Sequence, residues 1–408
     1  MNSKSSGGLK LKLICAFFAS LLVLMQSSSE QGQNPLFAQL LNLVAPVAFV
    51  FAVVSENFVS SRISLDYFKN YFILFLFIII FPTAFILIGD PSFFKEFYQS
   101  TLYILLPLAS VYFIGYLQCT KEDYEQAFFI IFLGCMLSLV PKLMSGDIVY
   151  QLIKAGIAGD SEVGTESDIV SFMFGLLTLY YFKNRKYGLF ILALLFSILS
   201  FKRIVLTGIC ISLLVYTFLK WYPSLFSHKK MILLFVLLFN LAVPMLMLEA
   251  TNDSVIAQEI SEDWFDTSIE SLTMGRKGFY SVITQKLGEP TVIGVGYGKA
   301  KAVFIQALGR AEYIHSDLIK LLYELGILGY CIWVFFWYKN NIKQLDMFAL
   351  SIYMNILFIS DNVFVYFPTL FLYYLLQSNF LLNESLLNDS KIKSLKIPSV
   401  TPNFLARV

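Results

Sequence analysis

Apolar runs close to the ~20 residues that a helix needs to cross a hydrocarbon core recur along almost the whole of this chain. Twelve can be drawn, at roughly 11–27, 36–55, 71–89, 99–118, 127–144, 169–182, 187–201, 204–221, 231–248, 317–338, 346–360 and 362–382. Backbone in lipid has no water to bond, so each such run must satisfy its own N–H and C=O groups as a helix. The expected fold class is therefore an all-α polytopic membrane protein with about twelve transmembrane helices. Composition agrees: 14% of the residues are charged, where soluble domains carry ~25%. The net charge of +2, with no basic block, gives no footprint for nucleic acid. Cys15, Cys119, Cys135, Cys210 and Cys331 are scattered through apolar runs without a CxxC pair, so no disulfide framework or zinc site is suggested.

Charge distribution orients the runs. With the N-terminus in the cytoplasm, the clusters Lys4–Lys10–Lys12, Lys183–Arg185–Lys186, Lys220–Lys229–Lys230 and Lys391–Lys393–Lys396–Arg407 all fall on the inner face, as does Lys339–Lys343. Short outer loops hold only Lys95, Lys142, Lys154, Lys202 and Arg203. This follows the positive-inside rule and puts both termini inside. Lys4–Lys12 ahead of 13–25 also has the look of a signal peptide, but no A-x-A site follows Met25, which favours an uncleaved first span. One helix over 187–221 would be about 52 Å long, against a ~30 Å core, so a turn at Lys202–Arg203 is expected.

The segments divide as transmembrane 1–249, an outer loop 250–316, transmembrane 317–382 and a polar tail 383–408 that reads as unstructured. The outer loop has helical periodicity at 255–272, a second short helix from Arg276 to Leu287 stopped by Gly288-Glu289-Pro290, and a third at 301–308. Its carboxylates, among them Asp253, Glu259, Asp263 and Glu270, lack the spacing of a calcium loop and read as a solvated helix face.

Chemistry-bearing residues gather on the outer side. Lys202 and Arg203 stand at the start of a span, where cations are costly and tend to face a cavity; the plainer reading is a helix stop or a headgroup contact. A guanidinium fork and a helix N-terminus both suit a diphosphate. Arg276 has Tyr280 one turn on and otherwise reads as a solvated arginine. Gly294-Val295-Gly296-Tyr297-Gly298 marks turns, without the strand–helix context of a nucleotide fingerprint. His315 opens a span at the outer face, where a helix N-terminus disfavours imidazolium and leaves a neutral ring able to take a proton; the alternative is an interfacial cap. His228 lies on the opposite face, so the two histidines cannot share a metal. Lys320 and Glu324, four residues apart, can pair on one helix face, and Gly326 and Gly329 permit close helix contact.

In order and spacing these pieces resemble the bacterial O-antigen polymerase (Wzy-type) and O-antigen ligase superfamily. The match runs through Arg276-x-x-x-Tyr280, Glu289-Pro290-x-x-x-Gly294-Val295-Gly296-Tyr297-Gly298 and His315-Ser316-x-Leu318-x-x-x-x-x-Glu324-x-Gly326-x-x-Gly329, with Ser200-Phe201-Lys202-Arg203 upstream. It covers about 200–330. Ser316 stands where many members have Asn, and Phe201-Lys202 separates Ser200 from Arg203. The resemblance implies a GT-C-like helical glycosyltransferase in the bacterial inner membrane, with a long periplasmic loop before the third-last span. It implies metal-independent, inverting transfer from an undecaprenyl-diphosphate-linked glycan donor to a glycan acceptor, without a cofactor. Arg203 and Arg276 would bind the diphosphate and His315 would lie near the acceptor hydroxyl. Lys202, Tyr280, Gly294, Gly296, Tyr297, Ser316 and Glu324 would line the substrate site, with membrane lipids and a chain-length regulator protein as partners. An O-antigen ligase, with the same donor but lipid A-core as acceptor, is the near alternative. A lipid-linked oligosaccharide flippase is the alternative from another class.

A reporter fused after Glu270 is expected to be active on the outer face and one fused after Lys230 on the inner face. Both on one side would refute the charge-derived topology.

Overall fold

A computed structural model of the chain describes residues 4–27, 39–55, 62–144, 169–200, 202–249, 277–309 and 314–395. The expected helix at 255–272, the loop carboxylates and Arg276 lie outside these residues. Every regular element among the described residues is helical. In chain order they are α1 (Lys4–Ser27), α2 (Val44–Val53), α3 (Arg62–Phe75), α4 (Phe81–Gly89), α5 (Phe94–Ile114), α6 (Lys121–Met144), α7 (Ile169–Lys183), α8 (Tyr187–Leu199), α9 (Arg203–Trp221), α10 (Pro223–Ser227), α11 (Lys229–Glu249), α12 (Lys277–Leu287), α13 (Lys299–Leu308), α14 (Asp317–Asn341), α15 (Leu345–Ser360) and α16 (Phe367–Leu395).

Seven of the helical stretches are long and apolar enough to cross a membrane, where the sequence suggests twelve. Stretches such as Ile169–Lys183 and Leu345–Ser360 form shorter apolar helices. In α7 the reason is burial. Each residue from Ile169 to Tyr181 is buried, so protein rather than lipid surrounds it and no full bilayer length is demanded. The first part of α16 shares this central position, buried from Phe367 to Leu381. Beyond Leu382 α16 continues to Leu395, where the sequence reads as an unstructured tail; no glycine or proline interrupts it before Pro398. On the periphery α9 and α11 present Leu214, Met231 and Phe235 to the outside, at no cost where the surroundings are lipid tails. The turn expected at 202–203 is present, between α8 and α9.

Without a hydrophobic force between helices in lipid, cohesion comes from packing and from buried hydrogen bonds. Trp337 stacks on Tyr373 at 5.2 Å and Phe358 on Phe364 at 4.6 Å, joining α14, α15 and α16. Asn341 is the hub of a polar network. Its Oδ1 accepts from Gln377 Nε2 at 2.6 Å, its Nδ2 lies 3.2 Å from the hydroxyls of both Tyr71 and Tyr373, and the Tyr67 hydroxyl sits 2.7 Å from Oδ1. Each such bond contributes ~0.6–2 kcal/mol in a membrane.

Two helix irregularities face each other across the groove region. Between α3 and α4 the chain makes a π turn at Leu76–Ile80. Pro82 explains it: proline lacks the N–H for the residue four before it and collides with that carbonyl, so the helix widens locally. Opposite, α14 is broken at Gly326, with φ 71° and ψ 172°. The 291–296 loop occupies this break. Val295 N–H donates to Tyr323 O and Gly296 N–H to Glu324 O, both at 3.0 Å, while Ile327 N–H donates to Thr291 O at 3.0 Å and Leu328 N–H to Val292 O at 3.1 Å. These four bonds replace those that the break removes. Gly294 and Gly326 touch backbone to backbone, and a Cβ built on either meets the other's nitrogen at 2.3 Å.

Gly326→Ala is expected to cost more than about 2 kcal/mol, combining a glycine-only backbone conformation with that collision. Gly278→Ala, with open space around its Cβ, should be neutral or slightly stabilising. Equal thermal-shift behaviour of the two variants in detergent would show that the glycine contact does not hold the break together.

Candidate functional site

The break in α14 lies about 14 Å along the helix from Asp317, near the middle of a ~30 Å core. Beside it a cavity of about 220 Å³ opens between α4, the π turn, the 292–296 loop and α14. Phe77, Val292, Ile293 and Leu328 line it and are exposed, so its mouth is apolar and opens on the molecular surface. Gly296, Thr83 and Glu324 supply its polar lining. The Thr83 hydroxyl is already engaged, accepting from Tyr297 N–H at 2.9 Å. Glu324 is 2% exposed. Neither of its carboxylate oxygens makes a hydrogen bond of ordinary geometry, although the amides of Gly298 and Lys301 and the side chains of Lys320 and Lys301 are its nearest partners.

A charge cluster stands where the starts of α9, α13 and α14 and the end of α15 lie. Lys202 Nζ pairs with Asp361 Oδ2 at 2.8 Å, with 13% and 8% of the two side chains exposed, and also lies 4.3 Å from the centre of the Phe172 ring. Asp361 Oδ1 accepts from Asn362 N–H at 2.7 Å and from the Tyr366 hydroxyl at 3.3 Å. Its carbonyl accepts Asp317 N–H at 3.2 Å, and Asp317 Oδ2 accepts Phe364 N–H at 2.9 Å. The start of α9 and the start of α14 are thereby joined through the α15–α16 turn. On the groove side Lys320 lies 4.9 Å from the centre of the buried Tyr297 ring. Lys301 has its ammonium pushed below the usual lysine range, chiefly by burial and next by Lys320. At the first turn of α13, Lys299 bonds Asp90, and with the help of Ser92 this holds the Asp90 carboxyl down at about 2.

The sequence candidates are distributed as follows. His315 is half-buried, its ring 5.5 Å from that of Phe279, and its carbonyl accepts from the Tyr280 hydroxyl at 3.4 Å. Ser316 caps α14: its Oγ accepts Ile319 N–H at 3.3 Å and donates to Phe358 O at 3.4 Å. Arg203 is exposed in the first turn of α9, next to Lys202. Tyr280 and Tyr297 are fully buried, and Gly294 packs against Gly326. Lys320 and Glu324 share a helix turn, but no ion pair between them closes to 4 Å among the described residues. Asp317, Asp361 and Lys301 were not singled out in the sequence. Asp361 falls between the apolar runs 346–360 and 362–382, and a carboxylate in so short an outer turn is the one signal that pointed to it.

Comparisons of the chain with protein-family models, with curated proteins and with solved structures find no match.

Asp361→Ala leaves Lys202 nearly buried without its counter-charge and is expected to cost about 3 kcal/mol. Lys202→Met combined with Asp361→Leu should cost less than the sum of the single changes, as a coupled pair requires. Strict additivity in unfolding titrations would sever the link between α9 and the α15–α16 turn.

Proposed function

We propose that this chain is a glycosyltransferase that polymerises lipid-diphosphate-linked oligosaccharide repeat units at the outer face of the bacterial inner membrane, in the manner of a Wzy-type O-antigen polymerase. The observation that carries the reading is the junction of Lys202–Arg203 with the His315-Ser316-Asp317 turn through Asp361, beside a groove open to lipid. A donor with an isoprenoid tail and a charged head needs those two neighbourhoods together.

In the proposed mechanism the tail remains in the groove and the diphosphate meets cations at the outer end. The acceptor hydroxyl attacks the anomeric carbon, the bond from that carbon to the diphosphate oxygen breaks, and configuration inverts. His315 receives the hydroxyl proton. Arg203 and Arg276 neutralise the charge that grows on the leaving diphosphate, a role that suits a planar two-pronged cation. Glu324 and Gly296 form the groove wall at the level where tail gives way to head.

One feature favours a second reading. A membrane helix broken near the bilayer centre is also how many transporters build a substrate site, which fits a flippase of lipid-linked oligosaccharide. Extension of a purified lipid-linked repeat unit by the purified protein separates the two. Retention of the unit without growth would favour transport. Transfer only to a lipid A-core acceptor would favour a ligase.

In that assay His315→Ala is expected to slow transfer by ~10²–10⁴-fold. Arg203→Ala is expected to remove ~2–4 kcal/mol of transition-state stabilisation, and Arg203→Lys should restore only part of it. A fully active His315→Ala protein would reduce that residue to an interfacial cap.

A further inference from the structure

A second cavity, of about 280 Å³, lies at the outer end of the bundle, away from the groove. Its walls come from the end of α1, the start of α2, α5, α7 and the α15–α16 turn. The lining that bears on its chemistry is Gln39, Asn42, Tyr103, Tyr366, Phe367 and Pro368, and no charged side chain contributes among the described residues. Its volume is near the lower end of the ~300–1,000 Å³ typical of ligand pockets.

We propose that this pocket binds an uncharged sugar ring, and that the ring belongs to the acceptor glycan. The lining selects this chemistry by elimination. A diphosphate or an acidic headgroup finds no cation there. A purely apolar chain would leave two amides and a tyrosine hydroxyl without partners, and Asn42 Oδ1 is already buried with no hydrogen-bond donor among the described residues. An unmet buried acceptor costs ~1–3 kcal/mol, so an occupant that supplies a hydroxyl proton is favoured. Amides and phenols match adjacent sugar hydroxyls, because each both donates and accepts. Aromatic rings match the C–H faces of a pyranose, and here they are fixed in advance. Tyr366 stacks on Phe172 at 5.6 Å and Phe367 on Phe371 at 5.9 Å, which lowers the ordering cost of binding.

Position links the pocket to the charge cluster. The α15–α16 turn serves both: Asp361 and Phe364 reach Lys202 and Asp317, while Tyr366, Phe367 and Pro368 wall the pocket. The Tyr366 hydroxyl donates to Asp361, so a sugar lying on Tyr366 is one side chain from the Lys202–Asp361 pair. The acceptor role rests on the glycosyl-transfer reading; sugar binding rests on the lining alone.

The probe is the lipid-free oligosaccharide of one repeat unit, released by mild acid from the lipid-linked fraction of the same cells. It is titrated onto the full chain in lipid nanodiscs and followed by saturation-transfer NMR. Wild type should transfer saturation to the ring protons. Asn42→Leu, which keeps the volume, and Tyr103→Phe, which removes one hydroxyl, should each weaken binding at least tenfold, with unchanged size-exclusion profile and helicity. Ile293→Ala in the lipid groove should leave it unaltered. No transfer in wild type, or equal affinity in the two pocket variants, would overturn the assignment. Polymer growth from lipid-linked units in the same nanodiscs reports on the glycosyl-transfer reading separately: sugar binding without growth would sink that reading and keep the pocket.

Discussion

The region around the groove depends on an exchange of backbone hydrogen bonds at the break in α14. A helix interrupted near the middle of the bilayer exposes amides and carbonyls whose burial without partners costs several kcal/mol each. The 291–296 loop meets that demand, accepting from Ile327 and Leu328 and donating to Tyr323 and Glu324. The exchange requires two backbones in contact, which is why glycine stands at both 294 and 326. The loop that follows the α12 helix is thereby inserted into the break of α14.

Two consequences follow. Displacing the helix axis opens a groove toward lipid, and the π turn at Leu76–Ile80 completes its opposite wall. The break also leaves the Glu324 side chain buried with Lys320 and Lys301 as nearest charges, in a region too dry to screen them. Asp361 fastens the start of α9 to the start of α14, so Lys202 is set against the same helix that carries the groove. The second cavity shares this framework through Tyr366.

Much of the local structure was legible in the residues. The split of the 187–221 run follows from helix length against bilayer thickness, and the helices at 277–287 and 299–308 follow from apolar spacing and their glycine and proline stops. The Gly-x-Gly-x-Gly stretch was readable as turns, and Gly326 as a place of close approach, but nothing in the sequence tied one to the other. Ser316 is a substrate-site residue by resemblance; in the structure its hydroxyl accepts from Ile319 N–H as the α14 cap and donates to Phe358 O on α15. Among the described residues seven helices have the length and apolar character of a span, and hydropathy does not separate a helix wrapped in protein, such as α7, from one wrapped in lipid.

By itself the sequence determined that this chain is helical, that most of it belongs in a membrane, and which residues are rare enough there to demand a reason. Those properties are sums over single segments, since the transfer free energy of each run and the cost of each charge are its own. Only the tertiary structure decided that Asp361 meets Lys202, that Gly294 meets Gly326, and that Asn42, Tyr103 and Tyr366 surround one cavity. Those choices rest on steric fit and on hydrogen bonds between segments far apart in the chain. Lipid tails and helix surfaces are equally apolar, so hydrophobicity gives no preference among partners, and packing alone selects them.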